Sequence, residues 1–118
     1  MLFIKNTLSL NDTIGALAHV ARVSIEYYSD LNRLPTIGER TLIMNNYLRN
    51  LSGKCSLWQK SKLTRMGVEL AISILENAAL RDLAIDSYIP FSPDADQKKM
   101  DIILQSHAAI IVKSKKLF

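Results

Sequence analysis

The chain has 118 residues, of which 48% are apolar and 22% charged, and its formal net charge is +4. That length suits one domain, residues 1–118, and the composition is that of a folded protein rather than a disordered one. The longest apolar run near the end, Ala108–Val112, is far shorter than the ~20 residues of a membrane span, so we expect no membrane partner.

Two features bear on cellular location. The first residues turn polar at Asn6 before a long apolar stretch can form, so we expect no secretory signal. Cys55 is the single cysteine and cannot form an internal disulfide. A reducing, cytoplasmic location is the expectation that follows.

The first predicted helix begins at an S-x-x-D pattern, in which Ser9 caps the free amides and Asp12 favours the positive end of the helix. We expect it to stop near Asn32–Pro35, because a proline disfavours helical geometry in the residue before it. Its apolar residues recur at steps of three and four: Ile14, Leu17, Ala18, Ala21, Ile25 and Tyr28.

The second predicted helix begins at a capping box formed by Thr36 and Glu39. It runs to about Leu51, and Gly53 is predicted to end it by adopting a positive φ. Its inner face is predicted to carry Ile43, Met44, Tyr47, Leu48 and Leu51.

A third helical stretch is predicted from Ser56 to about Tyr88, with a bend or interruption at Gly67. Between Val68 and Ala84 polar residues are few: Glu69, Ser73 and Glu76 form one narrow stripe, and almost all the other residues are Val, Leu, Ile or Ala. A helix that is apolar on nearly every side is surrounded by other helices, so we expect this one to be central.

The last predicted helix starts at Ser92–Asp94, which supplies an N-cap, a proline in the first turn and an acidic residue. Ala108–Val112 has an alternative as a short strand paired with Leu2–Ile4. The residues predicted to point inward are Met100, Ile103, Leu104, His107 and Ile111. The predicted fold class is therefore all-α, a four- or five-helix bundle with a central apolar third helix.

Few residues point to catalysis or to metal binding. The only His and Cys residues are His19, His107 and Cys55, which are too few for a structural zinc site, and we expect both histidines to be half-buried. Gly53 and Lys54 precede a helix but lack the other residues of a phosphate-binding loop. We expect a protein that is not an enzyme, with no cofactor, metal or small-molecule substrate.

Charge is unevenly distributed along the chain. No acidic residue occurs between Arg40 and Val68, whereas that segment holds six cations. On a helix that begins at Ser56, Trp58, Lys62 and Arg65 share a face, and Lys60 points away from it. Trp58 then either anchors the helix in the core or forms a binding surface with these cations. The residues predicted to contact a partner are Arg49, Lys54, Trp58, Lys60, Lys62 and Arg65.

Two functions follow as hypotheses. The first is a protein-interaction module, such as an adaptor, chaperone or inhibitor that docks onto a larger protein or onto a second copy of itself, because the helices carry more apolar surface than a short chain easily buries. The alternative is a nucleic-acid-binding protein or a helical subunit of a ribonucleoprotein that uses the basic segment 40–68. If the protein binds DNA as a helix–turn–helix motif, the residues that face the DNA groove would be Ser56, Gln59, Lys60 and Lys62.

Overall fold

The structure is a computed structural model, and it describes residues 8–51, 53–88 and 94–115. These residues form five helices and no strand, so the prediction of an all-α bundle is confirmed, and 108–112 is helical. Leu2–Ile4, the alternative strand partner, lies outside the described residues. The helices are α1 (Leu10–Leu31), α2 (Ile37–Leu48), α3 (Leu57–Glu76), α4 (Ala78–Ser87) and α5 (Asp94–Lys115).

The first three helices each begin at a side chain that accepts a hydrogen bond from a first-turn backbone amide. The Asp12 amide donates to Ser9 Oγ over 3.0 Å at the start of α1. Reciprocal capping boxes start α2, where Thr36 pairs with Glu39, and α3, where Ser56 pairs with Gln59. The capping patterns in the sequence therefore locate these three starts correctly.

The ends of α1 and α2 differ in how well the sequence predicts them. Asn32 ends α1 in the left-handed conformation at a φ of 55°, within the predicted range. The prediction that Gly53 ends α2 is wrong. That helix ends three residues earlier than predicted, with Arg49 as a right-handed cap, and no described glycine has a positive φ.

The predicted long third helix is divided at Asn77 rather than at Gly67. Asn77 has an extended backbone at a ψ of 113°, and its side-chain oxygen accepts from the Leu80 amide over 3.2 Å, so it ends α3 and caps α4. Gly67 lies inside α3 for another reason. A Cβ there would be 2.6 Å from Val20 Cβ, so this glycine permits the close packing of α3 on α1.

The centre of the bundle is shared by two helices. As expected of a central helix, α3 contacts each of the other four, but α1 does so as well, with its largest interfaces on α3 and α5. The core includes Leu17 and Ile25 from α1, Met44 from α2 and Ile74 from α3, all at most 1% exposed.

Helix α5 covers one side of this centre with Met100 and Leu104, as predicted, followed by buried Ala108 and Val112. The prediction that His107 points inward is wrong, because its side chain is exposed. The predicted cap at Ser92 lies outside the described residues, as does Pro93. Within the described parts of the chain, no helix has both the length and the hydropathy needed to cross a bilayer.

Candidate protein-binding groove

A surface groove of about 350 Å³ lies where α2 and α3 begin. The first turn of α2 forms one wall, and the first three turns of α3 form the other. We call it the α2–α3 groove. Its lining residues are Ile37, Arg40, Thr41, Leu57, Lys60, Ser61, Thr64 and Arg65.

Large apolar side chains are exposed at this groove. Ile37 and Leu57, the first residues of α2 and α3, are 78% and 81% exposed. Trp58 follows Leu57 in the same turn and is 62% exposed. Such side chains cluster on folded proteins chiefly where another molecule binds. Because Trp58 is exposed, the alternative in which it anchors α3 in the core is wrong.

The groove is also cationic. It contains Arg40, Lys60 and Arg65 and no carboxylate. Arg40 uses its Nε to donate to the Pro35 carbonyl over 3.1 Å, which fixes the guanidinium at the wall. Arg65 lies 3.8 Å from Glu69, but both side chains are more than 60% exposed, so water screens this ion pair. Within the described part of the chain, no carboxylate forms an ion pair with Arg40 or Lys60.

Trp58 and Lys62 form a cation–π pair beside the groove. Lys62 Nζ lies 4.9 Å from the centre of the Trp58 ring. The ammonium therefore covers one face of the indole and holds it against α3, at an energy of about 0.5–1 kcal/mol for an exposed pair. This pair extends the cationic and apolar surface around α3 from the groove.

The polar groups of the groove walls are mostly satisfied by their own helices. The Thr41 hydroxyl donates to the Ile37 carbonyl over 3.0 Å, and the Thr64 hydroxyl donates to the Lys60 carbonyl over 2.7 Å. The capping boxes use amides at the starts of both helices. What the groove offers a ligand is therefore mainly apolar surface and positive charge.

Two of the six residues predicted to contact a partner, Lys60 and Arg65, line the groove together, although helix geometry predicts different faces for them. Trp58 and Lys62 do not line it, but on α3 each lies within one turn of the lining residue Ser61. The other two, Arg49 and Lys54, are not among its lining residues. Arg49 instead donates to Asn46 Oδ1 over 2.9 Å at the end of α2.

Six of the eight lining residues are not among the predicted partner contacts, including Arg40, Ile37 and Leu57. Arg40 is the first cation of the segment that lacks acidic residues, but the spacing of residues along the chain does not predict that it lies near α3. The only sequence signal for Ile37 and Leu57 is that they are apolar residues at helix starts that do not occupy core-facing positions. Their proximity is a property of the tertiary structure.

A polar cluster joins α1, α4 and α5 on another side of the bundle. The Tyr88 hydroxyl donates to Asp101 Oδ1 over 2.7 Å, and Arg22 Nη1 lies 3.9 Å from Asp101 Oδ2. Burial and the bond to Asp101 raise the pKa of Tyr88, so the phenol stays protonated and acts as a donor. The cluster therefore serves as a polar connection between helices.

The adjacent pocket, of about 160 Å³, contains both rings of a stacked pair. The ring centres of His19 and Tyr47 are 4.6 Å apart. Burial, helped by Arg22, lowers the pKa of His19, so the imidazole is neutral at neutral pH. Its half-buried position matches the expectation for this histidine.

Cys55 is half-buried, and burial raises the pKa of its thiol, which disfavours the nucleophilic thiolate. In the described ranges, no three His, Cys, Asp or Glu side chains lie close enough together to hold a metal ion. Comparison with known proteins gave no significant match to a family model, a curated protein or a solved structure.

Proposed function

We propose that this protein is a non-enzymatic interaction module that binds another protein through the α2–α3 groove. The observation that carries the proposal is the exposure of Ile37, Leu57 and Trp58 beside a cationic groove. Two of the groove cations, Arg40 and Lys60, form no ion pair with a carboxylate of the described residues. An adaptor, a chaperone and an inhibitor all work by this kind of docking. We place it in the cytoplasm, where a lone cysteine stays reduced.

The composition of the surface supports a protein partner. Tryptophan and arginine are the residues that most often dominate binding energy at protein interfaces, and Trp58 and Arg65 are both exposed here. Covering an exposed Ile, Leu or Trp fully is worth on the order of 1.5–3 kcal/mol in the area-transfer scale. Three such residues together contribute at most about 4.5–9 kcal/mol, which offsets part or all of an association cost of about 4–15 kcal/mol. A micromolar affinity, about 8 kcal/mol net, therefore also requires contacts from the cations and from the rest of the partner.

Nucleic acid is the second candidate, and exposed Trp58 favours it because bases stack on aromatic rings. Three features count against it. Lys62 already covers one face of the ring, and Ser56 and Gln59 are engaged in a capping box. In addition, residues 49–56 separate α2 from α3, whereas the turn of a helix–turn–helix motif has about 3–4 residues.

The test is affinity capture from a lysate of the source cells, with and without nuclease, using three forms of the protein. They are wild type, the double variant Ile37→Ser/Leu57→Ser, and the control Ile102→Ser/Ile110→Ser. The control residues are 66% and 67% exposed on α5, and Ile110 lines a separate groove between α3 and α5. The control therefore removes similar apolar surface elsewhere.

We expect a protein partner that survives nuclease, is lost with the α2–α3 variant and is retained with the α5 control. Loss of the captured material on nuclease treatment would favour the nucleic-acid alternative. Loss with the α5 control but not with the groove variant would place the interface on α5 and contradict the proposal.

A further inference from the structure

We infer that the partner segment bound in the α2–α3 groove is an acidic amphipathic helix; this inference rests on the proposed function. The segment would insert apolar side chains between Ile37 and Leu57 and direct carboxylates to Arg40, Lys60 and Arg65. Three properties of the walls support this occupant: their hydrogen-bonding state, their charge and their exposed apolar surface.

The first property concerns the backbone of the occupant. An extended peptide gains much of its affinity from main-chain hydrogen bonds to a sheet edge, and the described residues contain no strand. Apart from the first-turn amides, the walls are helices whose backbone groups bond internally, and Thr41 and Thr64 donate to their own helices. A segment that buries its backbone here must satisfy it internally, as a helix does.

The other two properties concern its side chains. The walls carry three cations and no carboxylate, and the starts of α2 and α3 add the positive ends of two helix dipoles. A neutral apolar helix would leave Lys60 partly desolvated without a counter-charge, whereas Asp or Glu supplies one. Among the described residues, Ile37 and Leu57 are the most exposed large apolar side chains. Apolar side chains such as Leu in the partner would cover them, whereas a phosphate backbone has no such groups.

The same charges argue against a second copy of this chain in the groove. A symmetric pair would bring the cations of one copy against those of the other, because a two-fold interface apposes the same patch. Like charges brought together at an interface oppose association. A homodimer would therefore need another face, which would leave the groove available for the partner.

Two synthetic peptides of about 18 residues provide the main test, because much shorter helices are marginal in water. Both peptides carry Leu along one helical face. The charged positions on the rest of the helix are Glu in one peptide and Lys in the other. A third peptide has the Glu composition with its Leu residues scattered, and oligo(dT) of similar net charge is the nucleic-acid probe. Trp58 is the single tryptophan, so its fluorescence reports on each titration.

We expect the Glu peptide to bind at least about tenfold tighter than every other probe and to weaken as salt is raised. Lys60→Glu/Arg65→Glu should weaken it about tenfold or more. The matched control Lys98→Glu/Lys99→Glu makes the same charge change at exposed positions of α5 and should leave the affinity within about twofold.

Equal or tighter binding of the Lys peptide, the scattered peptide or oligo(dT) would overturn the inference, and so would the absence of binding by the Glu peptide. Such results leave the proposed function standing if Ile37→Ser/Leu57→Ser still abolishes capture of a protein. If that variant captures its protein normally, the proposed function itself fails. The two failures are therefore distinguishable.

Discussion

Replacing Gly67 by alanine should destabilise the protein, although alanine is the better helix former. A Cβ at this position would lie 2.6 Å from Val20 Cβ, 2.7 Å from Val20 Cγ1 and 2.9 Å from the Leu17 carbonyl oxygen. Non-bonded carbon atoms normally lie about 3.5–4.0 Å apart, so α1 and α3 must separate by roughly 1 Å. A rotamer change cannot relieve contacts with Val20 Cβ and a backbone oxygen.

The magnitude is the difference between two effects. Alanine gains about 1 kcal/mol over glycine in a helix interior, whereas overpacking a core typically costs about 1–3 kcal/mol. This interface joins the two central helices and has little freedom to expand, so we expect the upper part of that range. The free energy of unfolding of Gly67→Ala should therefore fall by about 1–2 kcal/mol.

Gly38→Ala is the matched control. Gly38 lies near the start of α2, and a Cβ there would meet no atom within 4 Å. This variant should be unchanged or more stable by up to about 1 kcal/mol. Urea unfolding followed by far-ultraviolet circular dichroism measures both changes. If Gly67→Ala matches or exceeds wild type in stability, close packing at this glycine is refuted.

Three further predictions concern the core, an ion pair and the groove. Ile74→Asp buries an unpaired carboxylate at a position that is 1% exposed, so the variant should fail to fold, and wild-type thermal melting would contradict this. A hydrogen bond from Arg33 lowers the pKa of Glu39 from 4.5 to about 2, so its stabilising effect is present above pH 4.5 and is lost as the pH falls toward 2. Glu39→Gln should flatten the fall in melting temperature over that range, and an unchanged slope would show that the ion pair is unimportant. Replacing Lys60, Lys62 and Arg65 by Glu should preserve the circular dichroism spectrum and lower the free energy of unfolding by about 0.5 kcal/mol or less per site. The same variant should no longer capture the partner. Loss of the helical spectrum would instead show that these residues have a structural role.

Much of the fold could be predicted from local sequence signals. Ser9, Thr36 and Ser56 each cap a helix through contacts with residues three positions away, and such signals are visible in one dimension. The sequence did not predict that Asn77 separates α3 from α4, because apolar residues continue on both sides of it. The sequence does not reveal the role of Gly67, because a glycine that breaks a helix and one that admits a neighbouring helix look the same in sequence.

The candidate site was only partly predictable. The acid-free segment and Trp58 point to the part of the chain that contributes α3 to the groove, because charge and aromatic residues are visible in composition. That Ile37, Leu57, Arg40 and Lys60 line one groove depends on how α2 packs against α3, and periodicity within one helix carries no information about that packing. For the same reason, Lys60 and Arg65 were expected on different faces but line one groove.

Site-specific photo-cross-linking tests the proposed interface most directly, because the reactive group captures whichever molecule lies against the groove. A photoreactive phenylalanine analogue would be placed at Leu57 in the groove and, as a matched exposed position, at Ile102 on α5. A protein partner in the α2–α3 groove predicts one protein adduct from position 57 that resists nuclease and is absent from position 102. An adduct formed equally from both positions, only from position 102, or removed by nuclease would contradict that interface.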